Sequence, residues 1–252
     1  MISVAVSGAL GRMGSLVCTT IDAEDGMELR VAIDPADPGR DVCGVVVSGD
    51  ANQAGSCDVV VDFTHPDVVL DNLRVWNGLG VHVVVGTSGF DSLRVAELSS
   101  SWVDPGKCLV VPNFSIGAAL MMRMAEMAAP FYPRAEVVEL HHDGKADAPS
   151  GTSIATAQRI GSARSAVPTT VGSELVAGAR GAEVDGVPVH SVRLGGLVAH
   201  QEVLFGGDGE TLTVRHDSLD RASFMPGVVA AIRGVATLDS PVTVGLDGIL
   251  GI

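Results

Sequence analysis

Residues 139–152, reading E-L-H-H-D-G-K-A-D-A-P-S-G-T, carry the most concentrated chemistry in this 252-residue chain. His141, His142 and Lys145 fall within five positions, and Ser150-Gly151-Thr152 follows directly after Ala148-Pro149. The preceding residues, 135–140, form a β-rich run, which puts the histidines at a strand's end. The following residues, 153–160, read as a helix with Ser150 or Thr152 as its N-cap. A helix N-terminus presents backbone N–H groups that favour an anion. Proton donors facing such a terminus suit a small anionic substrate that must be protonated. Adjacent histidines on a strand point to opposite faces, so one of the pair is equally open to a packing or turn role. Lys145 and the Ser-Gly-Thr helix start weigh the stretch toward function.

A second constellation opens the chain. Residues 2–6 form an apolar strand, and Ser7-Gly8-Ala9-Leu10-Gly11-Arg12-Met13-Gly14 follows before a helix continues through 16–23. Strand, glycine turn and helix in this order are the context of a dinucleotide fingerprint, here spaced G-x-x-G-x-x-G. Gly8 and Gly11 would permit a tight turn and close approach of a pyrophosphate, and Gly14 a close helix–strand packing. The next strand, 28–34, ends in Asp34, 20 residues beyond Gly14. A carboxylate there accepts hydrogen bonds from an adenosine ribose. The plain alternative for Asp34 is a strand-end turn residue.

These sites need strands and helices to hold them. Residues 57–63, 81–85 and 108–111 are further buried strands, separated by helices, one of which opens at Thr64-His65-Pro66 with Pro66 in its first turn. Residues 35–56 read as a loop with a short strand at 44–47. Turns at Gly86-Thr87-Ser88 and at Pro112-Asn113-Phe114 lie at strand C-termini, where open parallel sheets bind ligands. Beyond residue 118 the pattern changes. Met121, Met122, Met124 and Met127 recur at helical spacing, which predicts core packing. Residues 165–187 show no period and read as a long excursion. Three β-like runs follow, 189–194, 200–205 and 211–216, the last two joined as a hairpin at 206–209. His190, His200 and His216 stand singly in them and read as structural. A crossover at 217–223 and a closing helix over 224–238 complete the chain. The expected fold is α/β, a Rossmann-like doubly wound parallel sheet with a second, α+β domain.

Composition excludes several functions. Hydrophobic residues at 46% allow a sizeable core, and a net charge of −14 argues against a nucleic-acid partner. No apolar run reaches a membrane span, and the N-terminus lacks a signal peptide's charged region. Cys18, Cys43, Cys57 and Cys108 show neither metal-ligand spacing nor a disulfide framework, and read as reduced and mostly buried. A soluble cytoplasmic protein without a metal is expected.

The motifs Gly8-Ala-Leu-Gly-Arg-Met-Gly14, Asp62-Phe-Thr64, Gly86-Thr-Ser-Gly89, Asn113-Phe-Ser115 and the 139–152 stretch together resemble the 4-hydroxy-tetrahydrodipicolinate reductase family, formerly called dihydrodipicolinate reductase. The likeness runs in register to Arg215-His-Asp-Ser-x-Asp-Arg221 and Phe224-x-Pro-Gly227, nearly the whole chain. The run from His141 to Thr152 is its most specific part. The resemblance implies NAD(P)H-dependent reduction of a cyclic dicarboxylate in lysine biosynthesis through diaminopimelate. It implies a Rossmann domain over 1–114 plus 223–252, and a substrate-binding and oligomerisation domain over 115–222 that builds a homotetramer. Gly8, Ala9, Leu10, Gly11, Arg12, Met13, Asp34, Gly86, Thr87, Ser88, Val111, Pro112, Asn113 and Phe114 match the family's cofactor contacts. His141 and Lys145 match its proton-transfer residues, and His142, Ser150, Gly151 and Thr152 its substrate contacts.

In that reading hydride adds to a conjugated ring, and His141 or Lys145 protonates the resulting enamine; either is chemically able. Asp34 favours a ribose 2′-OH and hence NADH, while Arg12 could reach a 2′-phosphate, so NADH preferred or equal to NADPH is expected. Two rivals remain: another Rossmann oxidoreductase acting on an alcohol or amine, and a catalytically silent nucleotide sensor. The first leaves the Ser-Gly-Thr anion site without a role; the second expects a damaged acid cluster.

Overall fold

The computed structural model describes residues 1–103, 105–164 and 173–252. In chain order the elements are β1 (Ile2–Ser7), α1 (Arg12–Ala23), β2 (Met27–Ile33), β3 (Asp41–Val42), β4 (Val45–Val46), β5 (Val59–Asp62), α2 (Val69–Leu79), β6 (His82–Val85), α3 (Ser92–Ser101) and β7 (Cys108–Val110). Then come α4 (Ile116–Ala128), β8 (Arg134–His141), α5 (Gly151–Ala163), β9 (Ala182–Val184), β10 (Val187–Arg193), β11 (Ala199–Gly207) and β12 (Glu210–Ser218). The chain ends with α6 (Met225–Gly234), β13 (Val242–Val244) and α7 (Asp247–Leu250). It divides into unit 1, Met1–Phe114 with Phe224–Ile252, and unit 2, Ser115–Ser223.

Unit 1 is built on a six-stranded sheet ordered β13-β7-β6-β5-β1-β2 and parallel at every pairing. Its strands read as continuous apolar runs because both faces are covered. Val4, Val6 and Val61 pack on one side with Val17 and Ile21 of α1 and Val228 and Ile232 of α6. Ala5, Val60 and Val83 pack on the other with Leu73 and Trp76 of α2 and Leu98 of α3. The chain leaves β1 toward β2 on one flank and returns to β5 on the other. The crevice at the C-terminal ends of β1 and β5 is therefore the switch point at which such sheets bind ligands.

Unit 2 is a mixed sheet, β12-β11-β8-β10-β9, in which β8 and β10 run parallel and the remaining pairs antiparallel. Alternation places Ala135, Val137, Glu139 and His141 of β8 on one face. In register beside them stand Val189, Ser191 and Arg193 of β10 and Phe205, Val203, Gln201 and Ala199 of β11. Ala125 and Ala129 and, from α5, Ala157 and Ile160 close the apolar end of this face. At the other end the inward row turns polar, and there the candidate chemistry lies.

Several expectations are corrected. The helix after β5 starts at Val69: Pro66 sits in a preceding turn where the His65 carbonyl accepts from Val68 and Val69 N–H, a position that proline's fixed φ suits equally. Met121 is buried as expected, but Met124 and Met127 are 52% and 61% exposed, because the side of α4 that is buried is Ala118, Ala119, Met121 and Ala125. The expected short strand at 44–47 is present as β4, and it gains an unexpected partner in β3, the two joined by a turn whose residues Cys43 and Gly44 both have positive φ. The expected excursion contains β9, joined to β10 by Asp185-Gly186 in the same kind of turn; its residues 165–172 lie outside the described residues. The closing helix is shorter, with α6 flanked by single 3₁₀ turns, and β13 adds a sixth strand that periodicity missed, since three residues carry almost no pattern. The cysteines are all free, three buried and Cys43 exposed. Among the described residues no helix is long and apolar enough to cross a membrane.

Candidate functional site

In unit 1 the glycine turn lies between β1 and α1. Gly8 has φ +77°, and a Cβ there would meet the Phe63 carbonyl oxygen at 2.4 Å. A Cβ on Gly14 would come within 1.9 Å of the Gly8 oxygen, so this glycine lets α1 close onto the turn. Gly11 is the N-cap of α1 with φ −70°, so it needs no left-handed backbone. The turn's own amides are largely engaged. Gly8 and Ala9 N–H donate to the Ile33 carbonyl, Gly11 N–H to the Gly8 carbonyl and Leu10 N–H to Asp34 Oδ2 at 3.0 Å. Asp34 also accepts from Ala36 N–H at 3.0 Å, which fixes its carboxylate at the end of β2. The first amides of α1 have no intrahelical acceptor, no side chain caps them and no acid stands in the first turn. Arg12 and Met13 thus begin an anion-ready terminus. Arg12 is exposed, whereas the Ala9 methyl is fully buried in the core and can offer a ligand only backbone.

Along the same sheet edge, Gly86 follows β6 and Phe114 follows β7. A Cβ on Gly86 would strike the Phe63 ring at 2.2 Å and the Phe114 ring at 2.8 Å, so glycine is what lets these two rings meet, their centroids 5.4 Å apart. Thr87 and Thr64 hydroxyls both donate to the buried Asp62 carboxylate. Burial pushes Asp62 upward, and these neutral donors only partly offset it.

In unit 2, β8 ends at His141, and the loop carrying His142 and Lys145 runs on to α5. Ser150 is the N-cap, accepting from Ser153 N–H at 3.2 Å, so Gly151 and Thr152 form the first turn. Behind them lies Glu139, with no solvent exposure. Arg193 grips it as a fork, Nη1 to Oε2 and Nη2 to Oε1, both 2.8 Å. Glu139 also accepts from Ser150 N–H at 3.3 Å and makes a close contact with His141 Nδ1. Arg193 Nη2 further donates to the Asp147 carbonyl at 2.6 Å, while the Asp147 carboxylate holds Lys145 Nζ at 2.8 Å. Burial pushes Glu139 up, but hydrogen bonds from Arg193, Ser191 and His141 outweigh it and hold the carboxyl below its usual range. Burial pushes His141 down, more than Glu139 raises it, with Lys145 and Arg193 adding to the fall. Its Nδ1 faces an ionised carboxylate that can only accept, so Nδ1 carries hydrogen and Nε2 faces outward.

The structure brings His141, Lys145, Ser150, Gly151 and Thr152 together within unit 2, and His142 is exposed in the same loop. The cofactor candidates all lie just beyond the C-terminal ends of unit 1 strands β1, β2, β6 and β7. The sequence alone does not single out Arg193, and it gives Glu139 no role beyond its place in the 139–152 stretch. The available signal was parity: Glu139 and His141 share a face, as do Ser191 and Arg193, and acid and base at inward strand positions require partners. His190, His200 and His216 are engaged by Glu136, Asp217 and Ser115 respectively.

The dihydrodipicolinate reductase N-terminal profile matches residues 2–114 and the C-terminal profile residues 117–250. The chain belongs to the dihydrodipicolinate reductase family. It is 53% identical over 260 residues to the 4-hydroxy-tetrahydrodipicolinate reductase of Cutibacterium acnes and 51% identical over 259 residues to that of Thermobifida fusca, each covering 100% of both chains. A solved dipicolinate-bound dihydrodipicolinate reductase from Paenisporosarcina sp. TG-14 matches with TM-score 0.87 and 38% identity over 99% of each chain. Membership of this reductase family accounts for both the parallel nucleotide-binding sheet and the separate mixed sheet.

Proposed function

We propose that the chain reduces 4-hydroxy-tetrahydrodipicolinate to tetrahydrodipicolinate with NADH or NADPH, in lysine biosynthesis through diaminopimelate. The observation that carries this reading is the placing of His141 and Lys145 beside the capped start of α5. Unit 1 is the dinucleotide-binding domain: Arg12 and Met13 amides would receive the pyrophosphate, Asp34 the adenosine ribose, and 86–88 with 111–114 the nicotinamide end. The bound nicotinamide supplies a hydride. Unit 2 binds the dicarboxylate, with amides at Gly151 and Thr152 taking one carboxylate and His142 helping to neutralise charge. The reaction takes up a hydride and a proton and releases the 4-hydroxyl as water. Of the two candidates we assign proton delivery to Lys145, because burial holds His141 toward its neutral form, in which Nε2 can accept and relay. Assembly into a homotetramer follows from the family resemblance, with the side of the unit 2 sheet that carries the part-exposed Leu204 as the candidate contact surface. Free thiols fit a cytoplasmic setting.

The test is loss of NADH absorbance, with substrate formed in the cuvette from pyruvate and aspartate semialdehyde by a separate synthase. Wild type should turn over, and His141→Ala and Lys145→Ala should each lose about 100-fold or more in kcat. Cofactors that bind without any turnover would sink the assignment. Asp34→Asn should raise the ratio of NADPH to NADH efficiency, because it removes the charge that repels a 2′-phosphate while keeping an acceptor. An unchanged ratio removes Asp34 from the selectivity argument.

A further inference from the structure

We propose that Glu139, clamped by Arg193, is the positioning residue that fixes the tautomer of His141 and ties it to the start of α5. The proposal rests on the reading above, in which His141 takes part in proton transfer. Five hydrogen-bond donors converge on this one carboxylate: both terminal nitrogens of Arg193, His141 Nδ1, the Ser150 amide and the Ser191 side chain. A carboxylate with no solvent exposure keeps its charge only when so surrounded, and removing the proton acceptor would leave the imidazole free to adopt either tautomer. The geometry makes one pair of oxygens do two jobs. Oε2 orients the imidazole, and Oε1 accepts from the residue that caps α5, the helix whose first amides are the candidate anion site. Arg193 extends the unit by holding the Asp147 carbonyl, in the residue whose carboxylate restrains Lys145. Both proton-transfer candidates and the anion site therefore share one buried anchor.

The charged groups bearing on His141 are Glu139 on its own strand, Lys145 in the following loop and Arg193 in register on β10. β11 sets the uncharged Ala199 opposite it. Glu139 is thus its only anionic neighbour among these, and the loss of that charge should displace the imidazole's titration to lower pH.

The experiment compares wild type, Glu139→Gln and the double variant Glu139→Gln with Arg193→Met. The double variant avoids stranding the part-buried Arg193 guanidinium and so guards against simple misfolding. Nitrogen NMR of isotope-labelled histidine reads the His141 tautomer and its titration directly in the intact protein, and the NADH assay reads kcat and KM across pH. In wild type His141 should be a single Nδ1–H tautomer. In both variants the tautomers should mix, and kcat should fall at least about tenfold with KM changed far less. In Glu139→Gln the limb of the pH profile due to His141 should also move to lower pH. A folded double variant that keeps a single Nδ1–H tautomer and wild-type kcat overturns the proposal while leaving the functional reading intact. Wild-type turnover by His141→Ala would overturn both.

Discussion

Asp62 in unit 1 and Glu139 in unit 2 are both fully buried carboxylates near the C-terminal end of a central strand, yet they are held in opposite ways. Asp62 meets neutral donors, the hydroxyls of Thr64 and Thr87 and the Thr64 amide, and burial pushes its carboxyl up. Glu139 meets a guanidinium fork and an imidazole, and these outweigh burial to hold its carboxyl down. On the proposed function, the difference follows what each region would present to a ligand. Unit 1 would offer a backbone cradle, shaped by glycines and a helix terminus, for which a strong local charge is unnecessary. Unit 2 would offer ionisable side chains, and aligning them would take a buried ionic anchor.

That contrast can be broken by substitution. Glu139→Ala should cost about 3–5 kcal/mol, because it strands Arg193 in a largely enclosed site. Denaturant unfolding would measure it, and a cost under about 1 kcal/mol would show that the fork contributes little. Gly14→Ala should cost about 1–3 kcal/mol by forcing α1 away from the Gly8 carbonyl, and should weaken cofactor binding as well. Titration calorimetry with NADH checks the second part. Asp62→Asn should cost only about 1 kcal/mol or less, since an amide keeps an acceptor for the threonine hydroxyls and no cation loses its partner. A loss as large as that of Glu139→Ala would erase the distinction between the two carboxylates.

Titration sharpens the comparison further. Glu139 has a lowered native pKa, so its contribution to stability is full above the ordinary glutamate value and disappears as pH falls through the lower native one. Asp62 has a raised native pKa, so its contribution is full below the ordinary aspartate value and disappears as pH rises through the higher native one. Acidification through this range should therefore weaken hydrogen-exchange protection around β8 while favouring that around β5. Carbonyl NMR of the two carboxyls would show the two titrations on opposite sides of their ordinary values, and shifts of the same sign would refute the account.

Much of unit 1 was legible because its signals are local. A β-branched run, a glycine turn and an acid 20 residues on are read along a few dozen positions, and the observed β1, α1 and β2 follow them closely. Where local signals conflicted or were brief, expectation and structure parted. Pro66 fits a turn or a helix start equally well, the three residues of β13 have no measurable period, and methionine spacing on α4 marked a helix without revealing which side faced the core.

The sequence by itself determined the order of strands and helices in the nucleotide-binding half, the glycine turn and the acid-bearing 139–152 stretch, because each depends on neighbours in the chain. Only the tertiary structure decided what stands behind that stretch. Arg193 lies 54 residues from Glu139, and their meeting depends on β10 pairing parallel to β8 in a register that sets Ser191 beside Glu139 and Arg193 beside His141. Strand alternation says which side chains share a face, but the packing of Val137, Val189 and Val203 beneath α4 and α5 selects the register, and a slip of one residue would turn Arg193 to the opposite face.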